Sequence, residues 1–181
     1  MTENSRAPKN AVDQETAPAP SAKVEGVDRD KKGPSFTLVS QYLKDLSFEN
    51  PNAVEILQQG VKTPKGNIKF DIRVAQFNTS DFEVILKILI ESTVQENFKC
   101  LAEIEYAGLF HLQSVPVEAI EPLLMIEAPR MLFPFARQII MNLSRDGVIP
   151  LPQLQPIDFA ALYQERQRQL SNPAAESASI Q

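Results

Sequence analysis

Two stretches near the middle of the chain alternate apolar and polar residues, the pattern of a β-strand with one buried face. In the first stretch, which begins at Asp81, the even-numbered residues from Phe82 to Ile90 are apolar. In the second, the even-numbered residues from Phe98 to Tyr106 are apolar or aromatic, and the odd-numbered residues of both stretches are mixed. Residues 93–97 are predicted to form the turn between them. The pattern therefore predicts an antiparallel hairpin with one buried face and one partly solvated face.

Two further strands are predicted on the amino-terminal side of this hairpin. Alternation over residues 36–49 predicts the first strand, with a bend near Ser40, and alternation over residues 67–76 predicts the second. The apolar side of the first strand is predicted to carry Phe36, Leu38, Tyr42, Leu46 and Phe48. Asn50 and Pro51 are expected to end that strand, because proline cannot donate a hydrogen bond to a neighbouring strand.

After residue 110 the apolar residues recur at helical spacing. A short helix is predicted from Val117 onward. The strongest helix has a wide apolar stripe; Pro129 and Pro134 bracket its predicted start, since proline is tolerated only in a first turn. Gly147 is expected to end this helix in the left-handed conformation. Asp158 is predicted to cap a last helix. These elements together predict an α+β fold, with a four-stranded antiparallel sheet and helices packed on one of its faces.

Two connections are unusually apolar for surface loops. They are residues 53–61 and 148–154, and both are predicted to have little secondary structure; Pro150, Pro152 and Pro156 deny helix to their neighbours in the second. Such stretches either line a binding groove or seal the ends of the core, and the pattern favours neither interpretation.

Composition suggests the domain organisation. Residues 1–33 are rich in Ala, Pro, Ser and charged residues, and residues 171–181 are similarly poor in large apolar groups. Such segments cannot bury enough surface to fold, so we expect one domain over residues 34–170 between two disordered tails. No apolar run approaches the roughly 20 residues that span a bilayer, and none follows the N-terminus as in a secretory signal. We therefore expect a soluble, cytoplasmic protein without direct membrane insertion.

Charge and residue inventory argue against several function classes. The net charge is −5 and the isoelectric point is about 5.0, which disfavours a nucleic-acid partner. His111 is the only histidine and Cys100 the only cysteine, and no metal-ligand spacing or phosphate-binding loop is present in the sequence. Cys100 lies on the apolar side of a predicted strand and is expected to be a buried thiol. The sequence predicts no cofactor, no metal and no enzymatic activity.

Several motifs, in this order, resemble the SecB family of bacterial protein-export chaperones. They are YLKDLSFENPNA at the end of the first strand, GLF at the end of the fourth, LFPFARQII in the main helix, and IPLPQLQPIDFAALY before the C-terminus. The resemblance covers residues 35–165. It implies a homotetramer, a dimer of dimers, that holds unfolded precursor proteins without ATP and passes them to the SecA motor of the translocase.

The resemblance also implies site residues. The family's motor-docking surface, which recognises the basic, zinc-bearing C-terminal tail of SecA, corresponds to Asp45, Glu49, Leu101 and Glu103. The odd numbers of these four residues place them on the wet side of their predicted strands, which agrees with the resemblance. The client groove corresponds to Val54, Ile56, Leu57, Leu151, Leu154, Phe159 and Leu162. Positions near the contact between dimers correspond to Ala102, Ile104 and Tyr106.

Two alternatives stay open at this point. One is a small α+β domain that binds or hydrolyses an apolar molecule, although the sequence offers no evident acid and base for catalysis. The other is a SecB-like chaperone that guards an antitoxin.

Overall fold

The fold is a four-stranded antiparallel sheet with helices on one face, as predicted. The computed structural model describes residues 33–60, 65–95, 98–147, 151–152 and 154–171. The predicted tails therefore lie outside the described residues, except for Gly33 and Ser171. The elements in chain order are β1 (Ser35–Glu49), α1 (Ala53–Gln59), β2 (Lys65–Gln76), β3 (Asp81–Gln95), β4 (Phe98–Gln113), α2 (Val117–Pro122), a π-helical turn (Leu123–Glu127), α3 (Ala128–Asp146) and α4 (Phe159–Ser171).

The predicted hairpin forms the middle of the sheet, whose strand order is β1-β4-β3-β2. Its even-numbered residues point to the face that α3 covers, which we call the inner face; Leu86, Ile88 and Ile104 on this face are almost fully buried. The odd-numbered residues of β3 and β4 form the outer face. Because successive side chains of a strand point to opposite faces, the alternation in the sequence sets both faces of the hairpin.

Strand β1 departs from simple alternation. Its pairing with β4 shifts register twice, between Leu38 and Ser40 and again between Leu43 and Asp45. Each bulge adds one residue and inverts the alternation that follows it. Tyr42 therefore lies opposite Ala107 on the outer face, and its predicted place on the apolar side is wrong. After the second bulge the original alternation returns.

The predicted short helix and main helix form one continuous helical run from α2 to α3. They join through the π-helical turn, in which the Ala128 N–H donates to the Leu123 carbonyl. Helix α3 begins before the predicted start, so Pro134 lies in its interior and not in its first turn. Buried side chains of α3, among them Leu132 and Phe133, pack on the sheet, and this tertiary packing outweighs a local cost of about 3 kcal/mol for an interior proline.

Glycine at 108 allows α3 to pack closely on β4. A methyl group added at Gly108 would lie 2.8 Å from Leu132 Cδ2, 2.9 Å from Phe110 Cε2 and 3.0 Å from Leu38 Cδ1. Any larger residue at this position would have to push three packed side chains away, so the glycine fixes how near the helix approaches the sheet.

Gly147 does not have the left-handed conformation that was predicted. Its φ is −78° and its ψ is −5°, which any residue adopts. Its lack of a side chain serves packing instead, because a Cβ would lie 2.5 Å from Cζ of Phe48. The side chain of Asn50 also donates to the Gly147 carbonyl at 2.9 Å. The end of α3 is thereby attached to the end of β1.

The two apolar connections differ from each other in structure. Residues Ala53–Gln59 form helix α1, so the prediction of little secondary structure is wrong there; Ile56 is only 1% exposed and anchors the helix to the core. In the second connection, residues 151–152 and 154–158 form neither helix nor strand. Residues 61–64 and 148–150 lie outside the described residues. The predicted cap of α4 is confirmed, since the Ala161 N–H donates to Asp158 Oδ1 at 3.0 Å.

Candidate partner-binding surfaces

The four residues assigned to motor docking lie on the outer face, where the end of β1 meets the beginning of β4. Glu49 pairs with Leu101, and Ser47, two residues before Glu49, pairs with Glu103. Asp45 follows the second bulge and pairs with Glu105. Directly opposed residues of antiparallel strands share a face, so the sheet brings together what we call the acidic surface: Asp45, Glu49, Leu101 and Glu103.

The carboxylates of this region differ in how much of their charge is already neutralised. Glu103 accepts a hydrogen bond from Lys87 on β3 at 2.6 Å, and this contact raises the pKa of Lys87. The neighbouring Glu105 binds Arg73 and lies 3.6 Å from Lys87. Asp45 and Glu49 make no ion pair with any residue that the structure describes. The negative charge available to a partner is therefore concentrated on β1.

An ionic cluster around one buried carboxylate, which the sequence did not predict, lies beside the acidic surface. Glu83 is on the outer face but only 5% exposed. The Lys44 ammonium donates to both carboxylate oxygens at 2.7 and 2.8 Å, and the Tyr42 hydroxyl donates to the same carboxylate. Burial by itself raises the pKa of Glu83, but the hydrogen bonds from Lys44 and Tyr42, together with the charges of Lys44 and Arg73, outweigh burial and hold the pKa below its usual value. The hydrogen bond to Glu83, with burial and the carboxylate charge, raises the pKa of Tyr42.

The seven residues assigned to the client groove divide into two groups. Four are buried in the core of the chain, namely Ile56, Leu151, Leu154 and Phe159. The other three are exposed, and we call them the client surface: Val54 at 63%, Leu57 at 55% and Leu162 at 39%. Ile56 anchors α1, which carries Val54 and Leu57, and Phe159 anchors α4, which carries Leu162. The Phe159 ring packs edge-on against Phe133 of α3, with centroids 5.9 Å apart, and holds the start of α4 against α3.

The three residues assigned to the contact between dimers are covered by their own chain. Ala102 and Ile104 are at most 2% exposed, and Tyr106 is 8% exposed. The Tyr106 ring stacks on Phe135 of α3, with centroids 6.2 Å apart. Phe135 is itself exposed, as are Met131 and Met141 on the same helix. Tyr106 therefore supports an apolar helix surface from below and is not itself at the surface.

Cys100 and His111, the single cysteine and histidine of the sequence, both lie on β4. Among them there is no group of three or more His, Cys, Asp or Glu residues placed to hold a metal ion. Cys100 is 2% exposed, and burial raises the pKa of its thiol. His111 contacts the Asp81 carboxylate through Nδ1 at 2.6 Å. No helix in the described part of the chain is long and apolar enough to cross a membrane.

Comparison with known proteins assigns the family. The model of the family described as preprotein translocase subunit SecB matches residues 29–170. The chain belongs to the SecB family. The protein-export protein SecB of Parvibaculum lavamentivorans is 44% identical over 144 residues, which cover 80% of this chain and 86% of the relative. That of Xanthobacter autotrophicus is 43% identical over 136 residues, which cover 75% of this chain and 87% of the relative.

A solved structure shares the fold. It is a SecB-like chaperone of Mycobacterium tuberculosis in complex with a peptide from an antitoxin, with a TM-score of 0.55, 15% sequence identity, and coverage of 67% of this chain and 89% of that chain. At this identity the likeness concerns the fold alone. The family match confirms the predicted SecB-type export chaperone over a small-ligand or hydrolytic domain.

Proposed function

We propose that this chaperone holds precursor proteins unfolded in the cytoplasm, without ATP, and delivers them to the SecA motor through the acidic surface. The observation that carries the proposal is the placement of Asp45 and Glu49. Both are exposed on one sheet face, and neither is neutralised by a described residue of its own chain. A basic tail could bind these two carboxylates without first breaking an ion pair within the described chain. Such contacts form quickly and reversibly, which suits a handover.

Clients would bind elsewhere. The client surface lies on α1 and α4, and its side chains are large, aliphatic and exposed. Arg166 of α4 donates to the Ile72 carbonyl of β2 at 3.2 Å, and Val74, two residues further along β2, is also 39% exposed. Shallow apolar sites of this kind bind unfolded chains by burying hydrophobic side chains, without reading a sequence.

A homotetramer, built as a dimer of dimers, accounts for the remaining apolar surface. Leu43 and Leu46 lie on the inner face of β1 but are 43% and 38% exposed. Within the described residues β1 pairs only with β4, so the unpaired edge of β1 is available to another copy. The exposed side of α3, with Phe135, Met131 and Met141, is available as well. Several client surfaces on one assembly would then bind the same unfolded chain, and the affinity would rise through effective concentration.

Two measurements test the proposal. The protein should suppress the aggregation of a slowly folding precursor at near-stoichiometric ratio without ATP, and full aggregation at that ratio would contradict it. In sedimentation, the main species should be near four times 20.2 kDa. Phe135→Lys should weaken that assembly because it places charge in the apolar surface of α3, whereas Glu118→Lys, an exposed change on α2, should not. A stable wild-type monomer at micromolar concentration would exclude the tetramer.

A further inference from the structure

The acidic surface depends on the second bulge of β1. Leu43 pairs with Tyr106 on the inner face, Lys44 is the extra residue, and Asp45 pairs with Glu105 on the outer face. Without the extra residue, Asp45 would point to the inner face and the apolar Leu46 would point outward. Within the described residues β1 pairs with another strand on one side only, so contacts of its own side chains help to hold the bulge.

Glu83 supplies such contacts from two strands away. Tyr42 pairs with Ala107 of β4, and Ala107 pairs with Ile85 of β3, the strand that also carries Glu83. Neighbouring strands are about 4.8 Å apart, so the side chains of Tyr42 and Lys44 must cross β4 to reach the carboxylate. The small side chain of Ala107, which is fully buried, leaves room for this crossing.

The cluster joins the two residues that flank the inward-facing Leu43. Tyr42 precedes it and Lys44 follows it, and both contact the same carboxylate. These two contacts hold the backbone on both sides of Leu43 in a fixed position relative to Glu83 of β3. A buried carboxylate with good hydrogen bonds is costly to leave unpaired, so the contacts are held in place.

We propose that Glu83 is a positioning residue for the acidic surface: it binds Tyr42 and Lys44 across β4 and so fixes the bulge that turns Asp45 outward. This inference rests on the proposed function of that surface. On this proposal Lys44 strengthens the binding of a basic partner. Its positive charge alone would have the opposite effect, because a cation beside the acidic surface repels a basic partner.

The direction in which one substitution changes the affinity for the peptide distinguishes a positioning role of Lys44 from a purely electrostatic one. Lys44→Met removes a positive charge, so simple electrostatics predicts about two- to fourfold tighter binding of the zinc-loaded SecA tail peptide. The positioning role predicts binding weaker by about the same factor, because Asp45 is no longer held outward. Lys69→Met on β2 is the matched control; Lys69 is on the outer face and lies 3.8 Å from Glu91 in an exposed pair. It should bind as tightly as wild type or slightly more tightly.

Three further variants keep the test decisive if Lys44→Met folds poorly. Tyr42→Phe changes no charge and should weaken binding. The double variant Lys44→Met with Glu83→Gln leaves no unpaired buried charge, preserves the net charge of the face, and should also weaken binding. Lys44→Arg can still bind the carboxylate, and it should restore binding toward the wild-type value.

Hydrogen exchange of the wild-type assembly and the variants provides a readout independent of the motor. Amides of residues 43–49 should exchange faster in Lys44→Met and Tyr42→Phe than in wild type and in Lys69→Met. Unchanged exchange, or tighter peptide binding by Lys44→Met, would overturn the positioning role. If the wild-type protein does not bind the peptide, the proposed motor docking fails, while the exchange result still decides whether Glu83 fixes the bulge.

Discussion

Charge reversal at Glu49 should weaken motor binding and leave client binding intact. Glu49 is the better residue to change on this surface, because reversal of Glu103 would also deprive Lys87 of its 2.6 Å partner. Glu49→Lys changes the charge by two units. At about 6 Å from a basic side chain of the partner, each unit contributes about 0.7 kcal/mol in water, so the total is about 1.4 kcal/mol, or roughly tenfold in Kd at low salt.

The matched change on the client side is Leu57→Asp. Full burial of a leucine contributes about 1.5–3 kcal/mol, and 55% of Leu57 is exposed and available to a client. We therefore expect a loss of about 1 kcal/mol per site, or roughly fivefold, with wild-type affinity for the motor. Both residues are exposed, so neither change should cost more than about 0.5 kcal/mol of folding stability.

Calorimetry of each variant with an unfolded precursor and with the SecA tail peptide measures all four affinities. Glu118→Lys has the same charge change on exposed α2 and serves as the control, with affinities for both ligands near wild type. Glu49→Lys binding should also lose part of its salt dependence, since fewer opposite charges remain at the contact. If both variants lost both ligands together, the acidic surface and the client surface would not be separate.

Three further predictions concern stability and charge. Gly108→Ala should lower the free energy of unfolding in urea by about 1–3 kcal/mol because its methyl group would overlap three packed side chains; Gly33→Ala, with open space around it, is the control and should be neutral. The lowered pKa of Glu83 means that its ionised form stabilises the fold above the unfolded-state pKa of about 4.3, and that this contribution is lost as pH falls through the folded-state value. Unfolding free energies measured from pH 6 to pH 3 should therefore fall less steeply for Glu83→Gln than for wild type, and equal slopes would contradict the assignment. Lys87→Met should tighten binding of the SecA tail peptide about two- to fourfold, because it frees Glu103; isothermal titration would show weaker binding if Lys87 instead held Glu103 in place.

The local pattern of the sequence was sufficient wherever structure depends on neighbouring residues alone. Alternation from Phe82 to Ile90 predicted both faces of the central hairpin, because the period of a strand is two whatever its surroundings. The motifs around Ser47, Phe133 and Asp158 predicted the family, because they combine turn, helix and cap residues in a fixed order. The Asp158 cap needed only the N–H groups of its own helix.

Contacts between distant parts of the chain decided the rest. The first bulge of β1, which turns Tyr42 outward, exists only in the pairing of β1 with β4, and one added residue reverses the alternation that follows it. Gly147 is required by the Phe48 ring and not by its own backbone angles. Ile56 and Leu57 are neighbouring aliphatic residues that the sequence pattern does not distinguish, but the fold buries Ile56 and exposes Leu57. Tertiary packing decides these features because the free energy of folding depends on which side chains come into contact. The order of residues along the chain does not show which distant side chains those are.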